Sequence, residues 1–359
     1  RAARPMGRDE DGEMPAFVPA LELNRAFYQQ AVAPLLQLWP HAAARVGFGS
    51  EVLGFDDERS TDHGWGPQLQ VFVSPVHVEP ARQAVDDWLP ETFHDRPVRY
   101  GWDEVPVTHH VAVDTLGHWL EGHLGVAATG ELSIVDWLLM PQQLLLEVTG
   151  GAVYHDDPGE LSALRHRLAW YPRDVWLWLL ACQWRRVAEE EAFVGRTAEV
   201  GDEIGSRLVA ARVARELMRI VFLLCRRYWP YTKWFGSAFS RLPDVGNLLP
   251  LVDAVLSATG YPVREEALVA LYEEVAARHN RARLTEPVDG TVRPYYGRPY
   301  LVLRADRFVA ACLAAIGESP LRRLPLVGSV DQVADSTDLL SHAGRSRLLD
   351  PLYRRHLEA

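Results

Sequence analysis

The chain has 359 residues, of which 48% are hydrophobic and 24% are charged. This composition is typical of globular proteins, and the length is sufficient for two domains. The formal net charge is −11, whereas proteins that bind nucleic acid over a broad face are usually basic, so we expect no nucleic-acid partner.

The N-terminal third alternates between helical and extended patterns. Residues 1–18 are charged, contain Gly and Pro, lack periodicity and are predicted to form a flexible arm. Apolar residues recur at helical spacing over residues 19–44, with interruptions at Pro34 and Pro40. Strand patterns follow at residues 69–78, 98–102 and 111–114, and helical patterns at residues 79–89 and 116–124. Together they predict a compact α/β domain over residues 19–130.

Residues 131–320 are helical in pattern almost throughout, apart from a Pro/Gly/Tyr-rich segment at residues 285–299 that is predicted to be a loop or an edge segment. Residues 321–359 form a less regular tail. The predicted fold class is therefore α+β, with a mixed-sheet first domain and an all-helical second domain.

The cysteines and the apolar stretches bear on location. Cys182, Cys225 and Cys312 are far apart in apolar surroundings, which is typical of buried thiols in a reducing compartment. No signal-peptide pattern opens the chain, and the most apolar long stretch, residues 208–229, is too charged to span a membrane. We expect a cytoplasmic protein without a membrane partner, and its oligomeric state is left open.

The most informative stretch is residues 47–74. Gly49 and Ser50 form a predicted turn, and Asp62 follows after eleven residues, at the start of an extended segment. A glycine turn offers backbone N–H groups to phosphates at close range. Carboxylates on a rigid strand are the ligands that Mg²⁺ requires in nucleotidyl transfer.

This spacing resembles the signature of the nucleotidyltransferase superfamily. More closely, the chain is similar to an uncharacterised bacterial family with a nucleotidyltransferase-like N-terminal domain and a helical C-terminal domain. The similar motifs are spread over most of the chain. They are Gly49 to Asp57, Ser60 to Pro67, Gly195-Arg196, Gly201 to Glu203, Tyr231 to Gly236, and His279-Asn280. The resemblance implies a transferase that uses ATP or another NTP with Mg²⁺ and passes a nucleotidyl group to a small-molecule acceptor.

The resemblance also implies roles for individual residues. Gly49 and Ser50 would bind the triphosphate. Asp62 and Asp114 would be catalytic and would bind the metal. In the helical domain, Lys233 and Arg196 would bind phosphates, and Glu203 would be a general base for the acceptor hydroxyl.

Each of these residues also has a structural interpretation. A turn glycine, an N-cap serine and solvated aspartates would explain the first group. Lys233 would be a lysine that snorkels from the core to solvent. Arg196 and Glu203 would belong to a loop at residues 195–205, in which Asp202 caps the following helix. Residues 189–191 are predicted to be a solvated helix end, and His279-Asn280 a helix cap.

One position departs from the family pattern. Gly64 stands where the family usually has a second aspartate, and glycine supplies no metal ligand. Two other functions therefore stay open: a degenerate protein that binds a nucleotide or another ligand without turnover, and a reused fold acting in specialised metabolism. The histidine pairs at residues 109–110 and at His118 and His123 have no recognised metal-ligand spacing, so no metal site is predicted there.

Overall fold

The computed structural model describes residues 17–62, 64–103, 105–128, 130–317 and 319–357. The strands within them are β1 His41–Arg45, β2 Gln68–Val73, β3 Thr92–Phe93, β4 Arg96–Pro97, β5 Arg99–Trp102, β6 Val105–Asp114, β7 Ala152–Asp156, β8 Arg293–Pro294 and β9 Leu301–Val302. The helices are α1 Ala20–Phe27, α2 Val78–Trp88, α3 Leu116–Leu124, α4 Ile134–Leu139, α5 Gln142–Thr149, α6 Glu160–Arg167, α7 Arg173–Glu190, α8 Phe193–Glu199, α9 Glu203–Leu224, α10 Thr232–Ser240, α11 Leu248–Ser257, α12 Tyr261–Arg281, α13 Asp306–Ala314, α14 Val330–Val333, α15 Thr337–Leu340, α16 Ala343–Ser346 and α17 Asp350–Leu357.

The chain divides into two units. The first comprises Arg1–Glu131 and Leu144–Ala169, and the second comprises Leu132–Gln143 and Trp170–Ala359. A five-stranded mixed sheet belongs to the first unit, and the second unit is largely helical, so the predicted α+β class is confirmed. Every helix in the described part of the chain is too short or too polar to cross a membrane.

The sheet of the first unit has the strand order β5-β6-β2-β1-β7. Strand β1 is antiparallel to both β2 and β7, whereas β2 and β6 are parallel. As a result, the last residues of β1 lie beside the first residues of β2, and we call this end of the strands the turn end of the sheet. At the opposite end of the strands, which we call the far end, β1 begins and β6 and β7 end.

Alternating side chains on the strands form two apolar layers. Leu69, Val71 and Val73 of β2 point to one face and pack with apolar residues of α1 and α2. Phe72 points to the other face and packs with Leu161 of α6. The strand pattern over residues 69–78 is therefore confirmed for residues 69–73, whereas residues 75–77 form a 3-10 turn and residue 78 begins α2.

Strand β1 corrects the helical prediction over residues 19–44. Helix α1 is followed by a π-helical turn at Tyr28–Val32 and a 3-10 turn at Ala33–Leu35, and residues 41–45 are then a buried strand. The alanines at positions 42–44 lack the branched side chains that usually mark strands. A central strand buried on both faces also shows no polar alternation.

Buried charges between α7 and α9 explain the charged residues within the apolar stretch 208–229. The Glu216 carboxylate accepts hydrogen bonds from Arg186 at 3.0 Å and from Arg219 at 3.4 Å. Burial opposes ionisation of this carboxyl, but the two guanidinium groups hold the pKa of Glu216 below its usual value. Glu216 and Arg219 are therefore internal to a helical core, whereas Arg212 is exposed and pairs with Glu190.

Candidate functional site

The glycine turn (residues 47–50) lies at the turn end of the sheet and is organised by a buried ion pair. Arg45 and Glu51 flank the turn, are only 2% and 3% exposed, and approach to 2.5 Å between Arg45 Nη2 and Glu51 Oε1. The Arg45 guanidinium also donates to the carbonyl groups of Val46, at 2.7 Å, and Phe48. The turn therefore wraps around a guanidinium whose charge Glu51 balances.

Gly49 is required for this packing. Its φ is +149°, and a Cβ at this position would lie 2.4 Å from Glu51 Oε1 and 2.6 Å from Arg45 Nη2. Such distances are shorter than non-bonded contacts allow, so a side chain here would displace the ion pair. Among the described residues, no acceptor is found for the backbone N–H groups of Phe48, Gly49 and Ser50.

Gly64 and Gly66 lie beneath two aromatic rings of β5. Gly64 has φ +65°, its carbonyl accepts a hydrogen bond from Gln68 Nε2 at 3.0 Å, and a Cβ would contact the Trp102 ring at 3.5 Å. At Gly66 a Cβ would lie 2.8 Å from the Tyr100 ring. Gly64 therefore has a conformational role in addition to lacking a ligand atom.

Asp62 ends a 3-10 turn, Glu58–Asp62, close to the start of β2. Its side chain, and the whole of His63, lie outside the described part of the structure. The neighbouring Asp56 accepts a hydrogen bond from the Ala20 N–H at 2.9 Å, and Asp57 accepts one from the Arg59 N–H at 2.9 Å. Asp56 thus binds the first residue of α1, and Asp57 stabilises its own loop.

Asp114 lies at the far end of the sheet rather than beside Asp62. It is the last residue of β6 and is level with Phe72, whereas Gln68, which contacts Gly64, is level with His110. Four residues of strand separate the two levels by about 13 Å. Asp114 is thus separated from the level of Gly64 because β6 runs parallel to β2, and its metal-binding pairing with Asp62, whose side chain lies outside the described part, stays a prediction.

The Asp114 carboxylate has partners at the far end. It accepts hydrogen bonds from the Thr115 N–H at 2.7 Å and from His118 Nδ1 at 2.6 Å. The hydrogen bond with Asp114 raises the pKa of His118. Asp114 therefore acts here as the partner of an exposed histidine.

Lys233 and Arg196 are both exposed on helices of the second unit. The Lys233 ammonium lies 4.9 Å from the centroid of the Trp234 ring, and the Arg196 guanidinium lies 5.6 Å from that of Phe193. Arg196 belongs to α8, so the predicted loop over residues 195–205 is largely helical. Their assignment to phosphate binding stays a prediction.

Glu203 is the first residue of α9 and forms ion pairs with two arginines. It pairs with Arg264, which is buried, and with Arg207 at 3.1 Å. The hydrogen bond from Arg264 lowers the pKa of Glu203, which weakens it as a general base. Asp202 caps α9 by accepting from the Gly205 N–H at 2.8 Å, as the structural interpretation predicts.

His279 lies buried within α12 instead of capping its end. Its Nδ1 accepts a hydrogen bond from Trp184 Nε1 at 3.1 Å, so Nε2 carries the proton and donates to Thr285 Oγ1 at 3.0 Å. The adjacent Asn280 bonds both backbone groups of Val288, at 2.7 and 2.9 Å. The pair therefore anchors the segment that follows α12.

Acidification is expected to destabilise the protein through His279. Burial lowers the pKa of His279 to about 4, from 6.5. The unfolded state takes up the proton first, so this stability is complete above pH 6.5 and is lost as the pH falls towards 4. Urea denaturation should show the free-energy difference between wild type and His279→Gln shrinking by about 3 kcal/mol between pH 7 and 4. A constant difference over that range would contradict the assignment.

A second group of polar residues, which the sequence patterns did not indicate, lies at the far end of the sheet. The ligand atoms of His41, His155 and Asp157 all lie within 4.8 Å of one another, and His41 Nε2 is 2.9 Å from the Tyr28 hydroxyl. The strands carrying them are distant in sequence, so no local motif marks the group. The alternation of His155 and Asp157 was the one available signal, since it places both on one face.

Comparison with known proteins gives two similarities. A family described as a domain of unknown function (DUF4037) matches residues 137–235. The crystal structure of a nucleotidyltransferase-like protein from Exiguobacterium sibiricum 255-15 matches with 12% sequence identity and a TM-score of 0.34, covering 77% of this chain and 82% of that one. No curated protein matches the chain significantly. Neither similarity names a substrate.

Proposed function

We propose that the first unit binds a nucleoside triphosphate, such as ATP, with its phosphates at the glycine turn. The observation that carries this proposal is the run of three backbone N–H groups, of Phe48, Gly49 and Ser50, for which the described residues offer no acceptor. Phosphate oxygens are strong acceptors, and consecutive backbone N–H groups are a common way to hold them. The turn follows β1, which lies between β2 and β7 in the sheet, and not the helix that the sequence pattern predicts before it.

The first candidate reaction is transfer of a nucleotidyl group to a small-molecule acceptor, with Asp62 as the metal-binding carboxylate. The described residues do not fit a two-metal site. Gly64 supplies no ligand, Asp114 lies at the far end, and Glu51 is paired with Arg45. These residues supply no second carboxylate for Mg²⁺, and the participation of Mg²⁺ and of Asp62 stays a proposal.

The second candidate is nucleotide binding without transfer. It is favoured by the displacement of Asp114, because a site with one carboxylate lacks the paired ions that stabilise the attacking and leaving oxygens. A third candidate is reuse of the fold in specialised metabolism. It would involve the same nucleotide binding, followed by a different acceptor chemistry. A phosphate-binding role of Lys233 and Arg196, on the second unit, stays a separate proposal.

A thermal-shift panel tests the binding step. ATP and the other NTPs, each with and without Mg²⁺, are expected to raise the melting temperature of the wild-type chain. Saturation at 100 times Kd corresponds to about 2.7 kcal/mol of added stability. Asp62→Asn should lose the Mg²⁺-dependent part, whereas Asp57→Asn is the matched control in the same loop. If no nucleotide shifts the wild-type melting temperature, the proposal is wrong.

Two further measurements separate the candidate functions. Pyrophosphate release in the presence of a mixture of hydroxyl and amine acceptors supports transfer, whereas nucleotide binding without release supports the second candidate. Gly64→Asp restores the missing carboxylate at a φ of +65°, which aspartate tolerates better than most residues. A rise in Mg²⁺-dependent NTP affinity would place position 64 at the metal, and an unchanged affinity would exclude it.

A further inference from the structure

The far end of the sheet brings three potential metal ligands together through strand pairing. Ala43 pairs with His155 and Ala42 with Asp156 in the β1–β7 ladder, and the Asp157 N–H donates to the His41 carbonyl at 3.1 Å. Side chains on paired strands alternate between faces, so His41, His155 and Asp157 share one face. The pleat of two adjacent strands therefore builds the cluster, and no loop rearrangement is needed to assemble it.

The hydrogen bonds of His41 place a lone pair on Nε2, the nitrogen that faces the Tyr28 hydroxyl at 2.9 Å. His41 Nδ1 lies 2.8 Å from the Trp39 carbonyl, which can only accept, so Nδ1 carries the proton and Nε2 carries a lone pair. A backbone carbonyl bonded to the far nitrogen is the usual way in which proteins orient metal-binding histidines.

The other members of the cluster complete a set of N and O donors. His155 Nε2 lies 2.8 Å from Asp157 Oδ2, and the ring centroids of His41 and His155 are 4.5 Å apart. His155 and Asp157 share one proton in this hydrogen bond, and a cation bound by both would release it. The Tyr28 hydroxyl, 2.9 Å from His41 Nε2, donates the hydrogen bond that a cation on this nitrogen would replace.

The cluster opens onto a pocket of about 410 Å³, lined by Tyr28, His41, His155 and Asp157 together with Gln29 and Trp39. Tyr28 and Gln29 begin the π-helical turn Tyr28–Val32. Such turns are rare and occur frequently at functional sites. The pocket gives an ion in solution access to the ligand atoms and leaves room for a water molecule as an additional ligand.

We propose that His41, His155 and Asp157 form a Zn²⁺ site, with a fourth position open to the pocket. Two imidazoles and one carboxylate suit Zn²⁺, whereas Mg²⁺ and Ca²⁺ prefer oxygen ligands alone. Zinc ligands at about 2.0–2.2 Å in tetrahedral geometry lie roughly 3.3 Å apart, so the cluster needs to adjust by about an ångström. The site is separate from the glycine turn, which lies at the other end of β1.

Competition with a chromophoric zinc chelator tests the site on the full chain after treatment with EDTA. Wild type is expected to bind one Zn²⁺ at this site, and His155→Ala and Asp157→Asn are each expected to weaken binding by at least about 100-fold. His118→Ala is the matched control, since it removes an exposed histidine of a comparable His–Asp pair that has no third ligand among the described residues.

Thermal melts in EDTA establish that the variants are folded. Asp157 is exposed and His155 only half-buried, so both substitutions should leave the melting temperature of the metal-free chain nearly unchanged. Equal zinc affinity of wild type and the folded His155→Ala variant would overturn the proposal. So would a wild-type chain that binds no zinc, in which case the cluster is a hydrogen-bonded network alone.

Discussion

Glu51→Ala is expected to lower the free energy of unfolding by about 3–5 kcal/mol. The substitution leaves the Arg45 guanidinium, which is 2% exposed, buried without its counter-charge. Gln68 Nε2, which lies 3.4 Å from Glu51 Oε1, would also lose an acceptor. Urea denaturation followed by circular dichroism measures the effect directly.

A matched control separates burial from charge pairing as such. Glu79 pairs with Arg82 at 2.9 Å, but both side chains are largely exposed, so Glu79→Ala should cost less than about 1 kcal/mol. In the double variant Arg45→Met with Glu51→Leu no charge is left unpaired, and part of the lost stability should return. A Glu51→Ala variant within 1 kcal/mol of wild type would show that the pair does not stabilise the turn.

The ion pair also bears on the proposed nucleotide site. Arg45 binds the carbonyl groups of Val46 and Phe48, and the N–H groups of Phe48, Gly49 and Ser50 have no acceptor among the described residues. Since Glu51 balances the charge, Arg45 positions the backbone and adds little net positive charge for a phosphate. Nucleotide binding should therefore depend on the shape of the turn more than on a basic side chain.

The strands of the first unit illustrate what the sequence could predict. The alternating, β-branched pattern of β2 was sufficient to predict a strand there. The sequence also placed Asp114 correctly at the end of a strand. The end of the sheet at which Asp114 lies depends on strand order and direction, which long-range pairing decides. The proximity of His41 and His155 could not be predicted for the same reason. It results from the pairing of β1 with β7, and β7 lies in a segment predicted to belong to the helical domain.

Residues 189–191 illustrate a second limit. A run of acids at the end of a helix favours a solvated face, and Glu189 is indeed exposed, but Glu191 is only 7% exposed. Its carboxylate accepts hydrogen bonds from the N–H groups of Leu303 at 2.8 Å, Arg304 at 3.0 Å and Ala305 at 3.1 Å. It thus caps the N-terminus of α13 from a distant part of the chain, which no local pattern reveals.

Glu191→Ala is accordingly expected to destabilise the protein by about 3–5 kcal/mol. Three largely buried N–H groups would lose their acceptor, at a cost of about 1–3 kcal/mol for each that stays without water. Denaturant unfolding measures the loss. Glu189→Ala, at the same helix end, removes an exposed carboxylate paired with Arg185 at 3.2 Å and should cost less than about 1 kcal/mol.

The pH dependence of Glu191→Gln gives the sharper test of this cap. Burial raises the pKa of Glu191 to about 7, so the folded protein holds this proton over a range where the unfolded chain, near pH 4.5, has released it. Wild type therefore loses stability through this residue as the pH rises from 4.5 to 7, by about 3 kcal/mol in total. Glutamine has no ionisable carboxyl, so the free energy of unfolding of the variant lacks this pH dependence. Between pH 4.5 and 7, the difference in free energy of unfolding between the two proteins should therefore shift by the same amount in favour of the variant. If the difference stays constant with pH, burial does not control the carboxyl, and the cap is ionised throughout.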